Sequence, residues 1–337
     1  MLIFVIIRIF FVYTDNTMEL CLLFKLVFML KTWHISFSAG DEVLCRDEDD
    51  FNYLFNCIAL AVARNDASLL ADSEMATHFH MCPRAENPLD VFHAVRYAYS
   101  RYFNQKYHRK GRLGELQPFI IELKGLCHTI AALTYVLRNA LHHGVCPTPF
   151  GYPYNSSRCI FAEELGFVHS MEPLAERNVR RLMPAHVKCP SGYKMTKSGI
   201  IIRESVIDVA DVEHLYGTPR SYLYHMNRLS SEEWTREQTN DRNGLPPVTL
   251  EMIEAGMPYR SEQELRNNEF GKFDHGALTY TQVCSIIQKE ILRRYSKESV
   301  YVLSAKEVNE IANWLYYTYR LSTKMIARCL ALGYGRK

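Results

Sequence analysis

Two histidines one residue apart stand in the run Thr77-His78-Phe79-His80-Met81-Cys82. In an extended strand alternate side chains share a face, so the run places two imidazoles side by side and turns Phe79 and Met81 to the other face. Neighbouring imidazoles are the minimum from which a metal site can start. In a chain with 13 histidines such a pair carries little by itself, and a structural role for either ring is the default. Tyr135 and Asn139 supply a second element. At i and i+4 they share one helix face, so a helix crossing the sheet would present a phenol and a carboxamide to the histidines. With 21 tyrosines that spacing too is unspecific until its context is read.

The elements that must position these groups are legible from residue 33 onward. Trp33, Ile35 and Phe37 alternate with His34, Ser36 and Ser38, the period of a half-buried strand. An acidic loop from Asp41 to Asp50 leads into a helix with Phe51, Leu54, Phe55, Ile58 and Val62 at helical spacing. Strand candidates follow at 68–75 and 77–82. Asn87-Pro88 has the chemistry of an N-cap and first helical residue, opening a helix that carries Phe92, Val95, Tyr99 and Phe103. After Gly111 and Gly114 come a strand from Pro118 to Leu123 and a third helix from Lys124 to His143, ending at Gly144. The order β-α-β-β-α-β-α predicts an α+β domain, a ferredoxin/RRM-like antiparallel sheet with helices on one face.

A net charge of +2 is uninformative in bulk, so nucleic-acid binding must show as local patches. Residues 101–112 contain Arg101, Lys106, Arg109, Lys110 and Arg112 without an acid, interleaved with Tyr102, Phe103 and Tyr107. Cations that follow phosphates and aromatics that stack on bases are what single-stranded DNA demands. A solvated helix end whose aromatics are core gives the same pattern. A second acid-free run holds Arg177, Arg180, Arg181, Lys188, Lys194, Lys197 and Arg203, fit either to grip a hairpin stem or to be a positive surface loop.

The 337 residues, 48% apolar and 23% charged, have an ordinary globular composition. Turn formers at 147–160 mark a boundary. The expected organisation is an apolar extension 1–30, a domain 31–160, an extension 161–303 of unread role, and a segment 304–337. In the last, Ser304 and Glu307 form a capping box before Val308, Ile311, Ala312 and Leu315, and Ser322 can cap a further short helix. That is the form of a DNA-binding helix-turn-helix, and equally of a terminal helical hairpin closing a core. The apolar runs 1–13 and 20–30 fall short of the roughly 20 residues a membrane span needs. No membrane association is expected, and translation from Met18 or Met29 would account for them. Ten cysteines without a C-x-x-C pair suit a reducing cytoplasm better than a zinc ribbon or a disulfide scaffold.

In order and context these pieces resemble a known family. Met75 to Met81, then Tyr99-Ser100-Arg101-Tyr102-Phe103-Asn104 and Gly111-Arg112-Leu113, are similar to the single-tyrosine HUH transposases. Tyr135 to Val145 and Tyr152-Pro153-Tyr154-Asn155-Ser156-Ser157 are similar to the REP-associated tyrosine transposases in particular. The resemblance covers about residues 33–160. Ala76 and Ala140 stand where the family often has proline, and Thr77 where it often has asparagine.

The resemblance implies an HUH nuclease fold and a DNA transposase, an endonuclease and strand transferase acting on single-stranded or hairpin DNA. His78, His80 and Asn139 would bind the metal and Tyr135 would be the nucleophile, forming a 5′-phosphotyrosine and freeing a 3′-hydroxyl. Phenol is a fair leaving group, so the covalent step is reversible; with a pKa near ~10 it needs a metal or a basic neighbour to lose its proton. Two imidazoles and an amide suit zinc or manganese, whereas phosphoryl chemistry and the family favour Mg²⁺ or Mn²⁺, which are taken as the expected ions. Glu122 and His128 are outer candidates. No nucleotide cofactor is expected, in keeping with the lack of a P-loop motif. The protein would work as a monomer or homodimer in the cytoplasm, at the nucleoid. The alternative is a domesticated DNA- or RNA-binding protein that keeps the fold without catalysis.

Overall fold

The computed structural model describes residues 30–114, 117–167, 172–175, 187–228 and 278–335. The apolar N-terminal runs, Arg177, Arg180 and Arg181 lie outside the described residues, except for Leu30 at the end of the second run. Strand β1 (Lys31–Ser38) is followed by α1 (Glu48–Arg64), β2 (Ser68–Glu74), β3 (His78–Ala85), α2 (Pro88–Lys106), β4 (Phe119–Leu123) and α3 (Gly125–Leu137). The strands form one antiparallel sheet in the order β2-β3-β1-β4. β3 thus lies between β1 and β2, the split β-α-β arrangement that the β-α-β-β-α-β order favours.

Local chemistry sets the element ends. Asp47 caps α1 by accepting from the Asp50 amide, and Asn87 caps α2 by accepting from the Leu89 amide with Pro88 in the first turn. Both apolar faces turn to one side of the sheet, where Phe37 meets Phe79 and Phe92 at ring-centre distances of 5.7 and 5.1 Å. The opposite face carries Ser36, Ser38, His78 and His80, since Ser36 is paired with His80 and Ser38 with His78.

Helix α3 covers that second face: the Tyr135 ring lies against His80. The expectation of helices on one face therefore holds for α1 and α2 and is corrected for α3. Small residues permit the close approach, with Ala131 and Ala132 buried.

The third helix also does not run unbroken to His143. It stops at Leu137, turns at Arg138 and resumes as α4 (Asn139–His142) before Gly144 at φ 65°. The cause is tertiary. Asn155 donates its side-chain N–H to the Leu137 carbonyl at 3.0 Å, taking the acceptor that a continuing helix would use.

Helices α5 (Val209–Tyr216) and α6 (Pro219–Asn227) brace α3 from outside. Tyr216 and Thr134 share a hydroxyl hydrogen bond at 2.9 Å, and Arg138 donates to the His225 carbonyl. The β2 edge is covered by bridges to Asn155 and Ile207.

Toward the C-terminus come α7 (Tyr280–Ile286), a π turn at Ile287–Ile291, α8 (Ala305–Tyr319) and α9 (Thr323–Cys329). The capping box at Ser304 and Glu307 and the Ser322 cap form as expected. Helix α9 packs inward through Met325, Ile326, Arg328 and Cys329, and Arg46 donates to the Cys329 carbonyl at 2.8 Å, while Thr323 is exposed and Lys324 and Ala327 are half-buried. One buried face is common to a core-closing hairpin and to a helix-turn-helix.

Candidate functional site

Between the sheet and α3 lies a cluster of rings drawn from four segments. His78 and His80 on β3 are edge to face at a centroid distance of 5.1 Å. Tyr135 on α3 is edge-on to His80 at 5.4 Å and lies 5.6 Å from His142. His143, just past α4, is 5.0 Å from His78. His34 on β1 stacks on His80 at 5.2 Å.

The hydrogen bonds sharpen the arrangement. His78 Nε2 is 3.2 Å from Asn139 Oδ1, and its Nδ1 is 3.0 Å from the Thr77 hydroxyl. His80 Nδ1 is 3.0 Å from His34 Nε2, which leaves His80 Nε2 buried with no hydrogen-bond partner. The same is true of Asn139 Nδ2, His143 Nε2 and the Ser36 and Ser73 hydroxyls. Several unmatched buried polar atoms on one face mark a place meant for a further polar group, since each left alone costs about 1–3 kcal/mol.

Burial keeps His34, His80 and His143 neutral. His34 is pushed down to about 3 by desolvation. His80 and His143 are held well below the usual histidine range, first by desolvation and then by neighbouring histidines. A neutral ring keeps the lone pair that a cation needs.

Do these residues fit a divalent ion? Among the described residues no three His, Cys, Asp or Glu side chains surround a common point. The third donor has to be the Asn139 amide oxygen. Its 3.2 Å spacing from His78 Nε2 is close to that of adjacent ligands in an octahedron with metal–ligand distances of about 2.1 Å. With the bare His80 Nε2 on the same sheet face as His78, the donors open to a cation would be two nitrogens and one oxygen. The donors fit Mn²⁺ or Mg²⁺, with imidazole favouring Mn²⁺.

No protein family and no curated protein matches this chain. Among solved structures it is similar to a REP-associated tyrosine transposase bound to a REP hairpin. The likeness has 10% identity and a TM-score of 0.34, over 41% of this chain and 80% of that one. At that level it leaves function to be argued from this chain's own residues.

The structure thus brings His78, His80, Tyr135 and Asn139 together. It does not gather the basic run beside them. Lys106 is held by Asp47 and Asp50 at 2.6 and 2.8 Å, and Arg109 is buried in a two-bond contact with Glu42 at 2.9 and 2.6 Å. Each cation is tied to a buried or half-buried carboxylate, which would lose a charged donor without it, so both stay with their internal partners. Phe103 and Tyr107 are core, and the half-buried Arg203 is paired with the buried Asp72 and Glu74.

Arg101, Lys110 and Arg112 remain exposed. Arg101 lies over Tyr97, 5.6 Å from the ring centre, and Tyr97 is 67% exposed. That pair sits on α2, behind the sheet from the histidines. Arg112 lies within electrostatic reach of Arg96 on the same helix α2, and so on that side of the sheet too.

Of the outer candidates, Glu122 shares Trp33's face and pairs with Lys31 at 3.1 Å, away from the imidazoles. His128 is buried on α3, two turns before Tyr135. Sequence reasoning missed His34, although the alternation in β1 already placed it opposite Ile35, and it missed the Tyr97–Arg101 pair at i and i+4.

Proposed function

We propose that this protein is a metal-dependent tyrosine transposase of the HUH type, which cleaves and joins single-stranded or hairpin DNA through a 5′-phosphotyrosine. The observation that carries the proposal is the convergence of the Tyr135 ring, two buried imidazoles and the Asn139 carboxamide between one helix and one sheet face.

In the forward step the Tyr135 phenolic oxygen attacks the scissile phosphorus. A bond forms between phosphorus and that oxygen, the bond to the 3′-oxygen breaks, and the 3′-oxygen takes up a proton. Rejoining reverses the exchange, with tyrosine as leaving group, so no nucleotide hydrolysis is needed. His78, His80 and Asn139 would hold Mn²⁺ or Mg²⁺, which when bound supplies charge to offset the negative charge growing on the phosphate oxygens. The protein's own part is positional. Asn155 ends α3 where Asn139 must turn toward His78, while α5 and α6 hold that helix against the sheet.

A second reading keeps the fold as a DNA- or RNA-binding module without cleavage. It is favoured by the burial of the whole cluster, with Tyr135 only 6% exposed and Asn139 fully buried. Incubation with Mn²⁺ and an end-labelled hairpin oligonucleotide separates the two. Transfer of label to protein supports the transposase; retention of intact hairpin supports the binding module.

A further inference from the structure

The His34 ring has no role in the chemistry above, yet its Nε2 sits 3.0 Å from His80 Nδ1, and the two rings stack at an interplanar angle of 23°. Two neutral imidazoles in that contact share a single proton, so one ring donates and the other accepts. The contact occupies Nδ1 of His80 and leaves Nε2 as its only bare nitrogen. His78 is arranged in parallel, with Nδ1 against Thr77 Oγ1 and Nε2 turned to Asn139. Each strand histidine therefore has a neighbour on Nδ1; His80 Nε2 is left bare, and His78 Nε2 faces the Asn139 amide oxygen.

We propose that His34 is a positioning residue for His80: it accepts the Nδ1–H of His80 when a cation is bound, fixing the ring so that only Nε2 can ligate. The proposal rests on the metal-dependent function argued above. A ligating histidine whose second nitrogen is tied keeps both its tautomer and its orientation, and loss of such a partner typically weakens metal binding about 10–100-fold. His34 is well suited to the task because β1 is an inner strand directly beside β3 and its ring is fully buried, which leaves it little freedom.

The test uses the full chain. Mn²⁺ binding, followed by the loss of the free-ion EPR signal, is compared for wild type, His34→Leu and His34→Gln. We expect His34→Leu to bind about 10–100-fold more weakly and His34→Gln, whose amide oxygen can accept the same N–H, to recover most of the loss. Wild-type affinity in His34→Leu would overturn the proposal while sparing the metal site, whereas absence of Mn²⁺ binding in wild type would overturn the metal site itself. Should His34→Leu fail to fold, ¹⁵N-histidine spectra of the wild type with Zn²⁺ decide. His80 protonated on Nδ1 and coordinated through Nε2 supports the proposal; coordination through Nδ1, or by His34 itself, overturns it.

Discussion

His78 and Asn139, 61 residues apart in the chain, meet with Nε2 3.2 Å from Oδ1. One comes from a strand and the other from the turn at which α3 is broken, so neither element alone makes the contact. The meeting places a nitrogen donor and an oxygen donor side by side in a dry, neutral setting.

Asn139→Ala should therefore lower Mn²⁺ affinity at least tenfold, because the site loses its one oxygen donor from the protein. The variant should stay folded, with a melting temperature a few degrees lower for the missing buried hydrogen bond, about 1 kcal/mol. Calorimetric titration beside thermal unfolding measures both, and unchanged affinity would remove Asn139 from the ligand set.

The two kinds of basic residue in 101–112 should separate cleanly. Arg101→Ala and Arg112→Ala, at exposed sites, should weaken binding of single-stranded DNA and reduce the salt slope by roughly 0.7–1 for each phosphate no longer neutralised, without changing stability. Lys106→Met should leave the slope alone and cost about 1–3 kcal/mol of stability, since Asp50 loses a charged donor but keeps Tyr107 and the Arg46 amide. Fluorescence titrations at several salt concentrations, with urea unfolding in parallel, test both halves.

Glu74 gives a pH dependence of known sign. Burial, with Asp72 beside it, holds its carboxyl well above the ordinary range despite the opposing pull of Arg203. The native state thus binds a proton that the unfolded chain releases near pH ~4.5, and the stability this contributes is lost as pH rises through the native value. Relative to Glu74→Gln, wild type should lose stability progressively as pH rises above about pH 5. Urea midpoints of the pair across that range read the difference. A constant gap would mean that Glu74 is ionised throughout.

The framework was legible because strong local signals agreed: alternation in β1 and β3, Asn87-Pro88 before α2, and the Ser304–Glu307 box all form as the residues require. What was not legible depended on partners distant in sequence. The break after Leu137 is made by Asn155, and nothing in the helical pattern of 124–143 announces it. The apolar spacing of α9 is the same for a core hairpin as for a DNA-reading pair, since both bury one face of the helix. For Lys106 and Arg109 a clue was present, since the acidic loop at 41–50 supplies Glu42, Asp47 and Asp50 as their partners. Acid-free within twelve residues did not mean unpaired in space.

The central claim is that the Tyr135 oxygen takes the phosphate. Wild type and Tyr135→Phe are each incubated with Mn²⁺ and a 5′-labelled or 3′-labelled hairpin oligonucleotide, and the products are resolved on denaturing gels and by peptide mass spectrometry. The account predicts a covalent adduct mapped to Tyr135 in wild type, carrying the 3′ label and leaving a free 3′-hydroxyl on the other fragment. It predicts none in Tyr135→Phe, with hairpin binding kept within a few-fold. An adduct of equal yield in Tyr135→Phe, or one mapped to another residue, would contradict it.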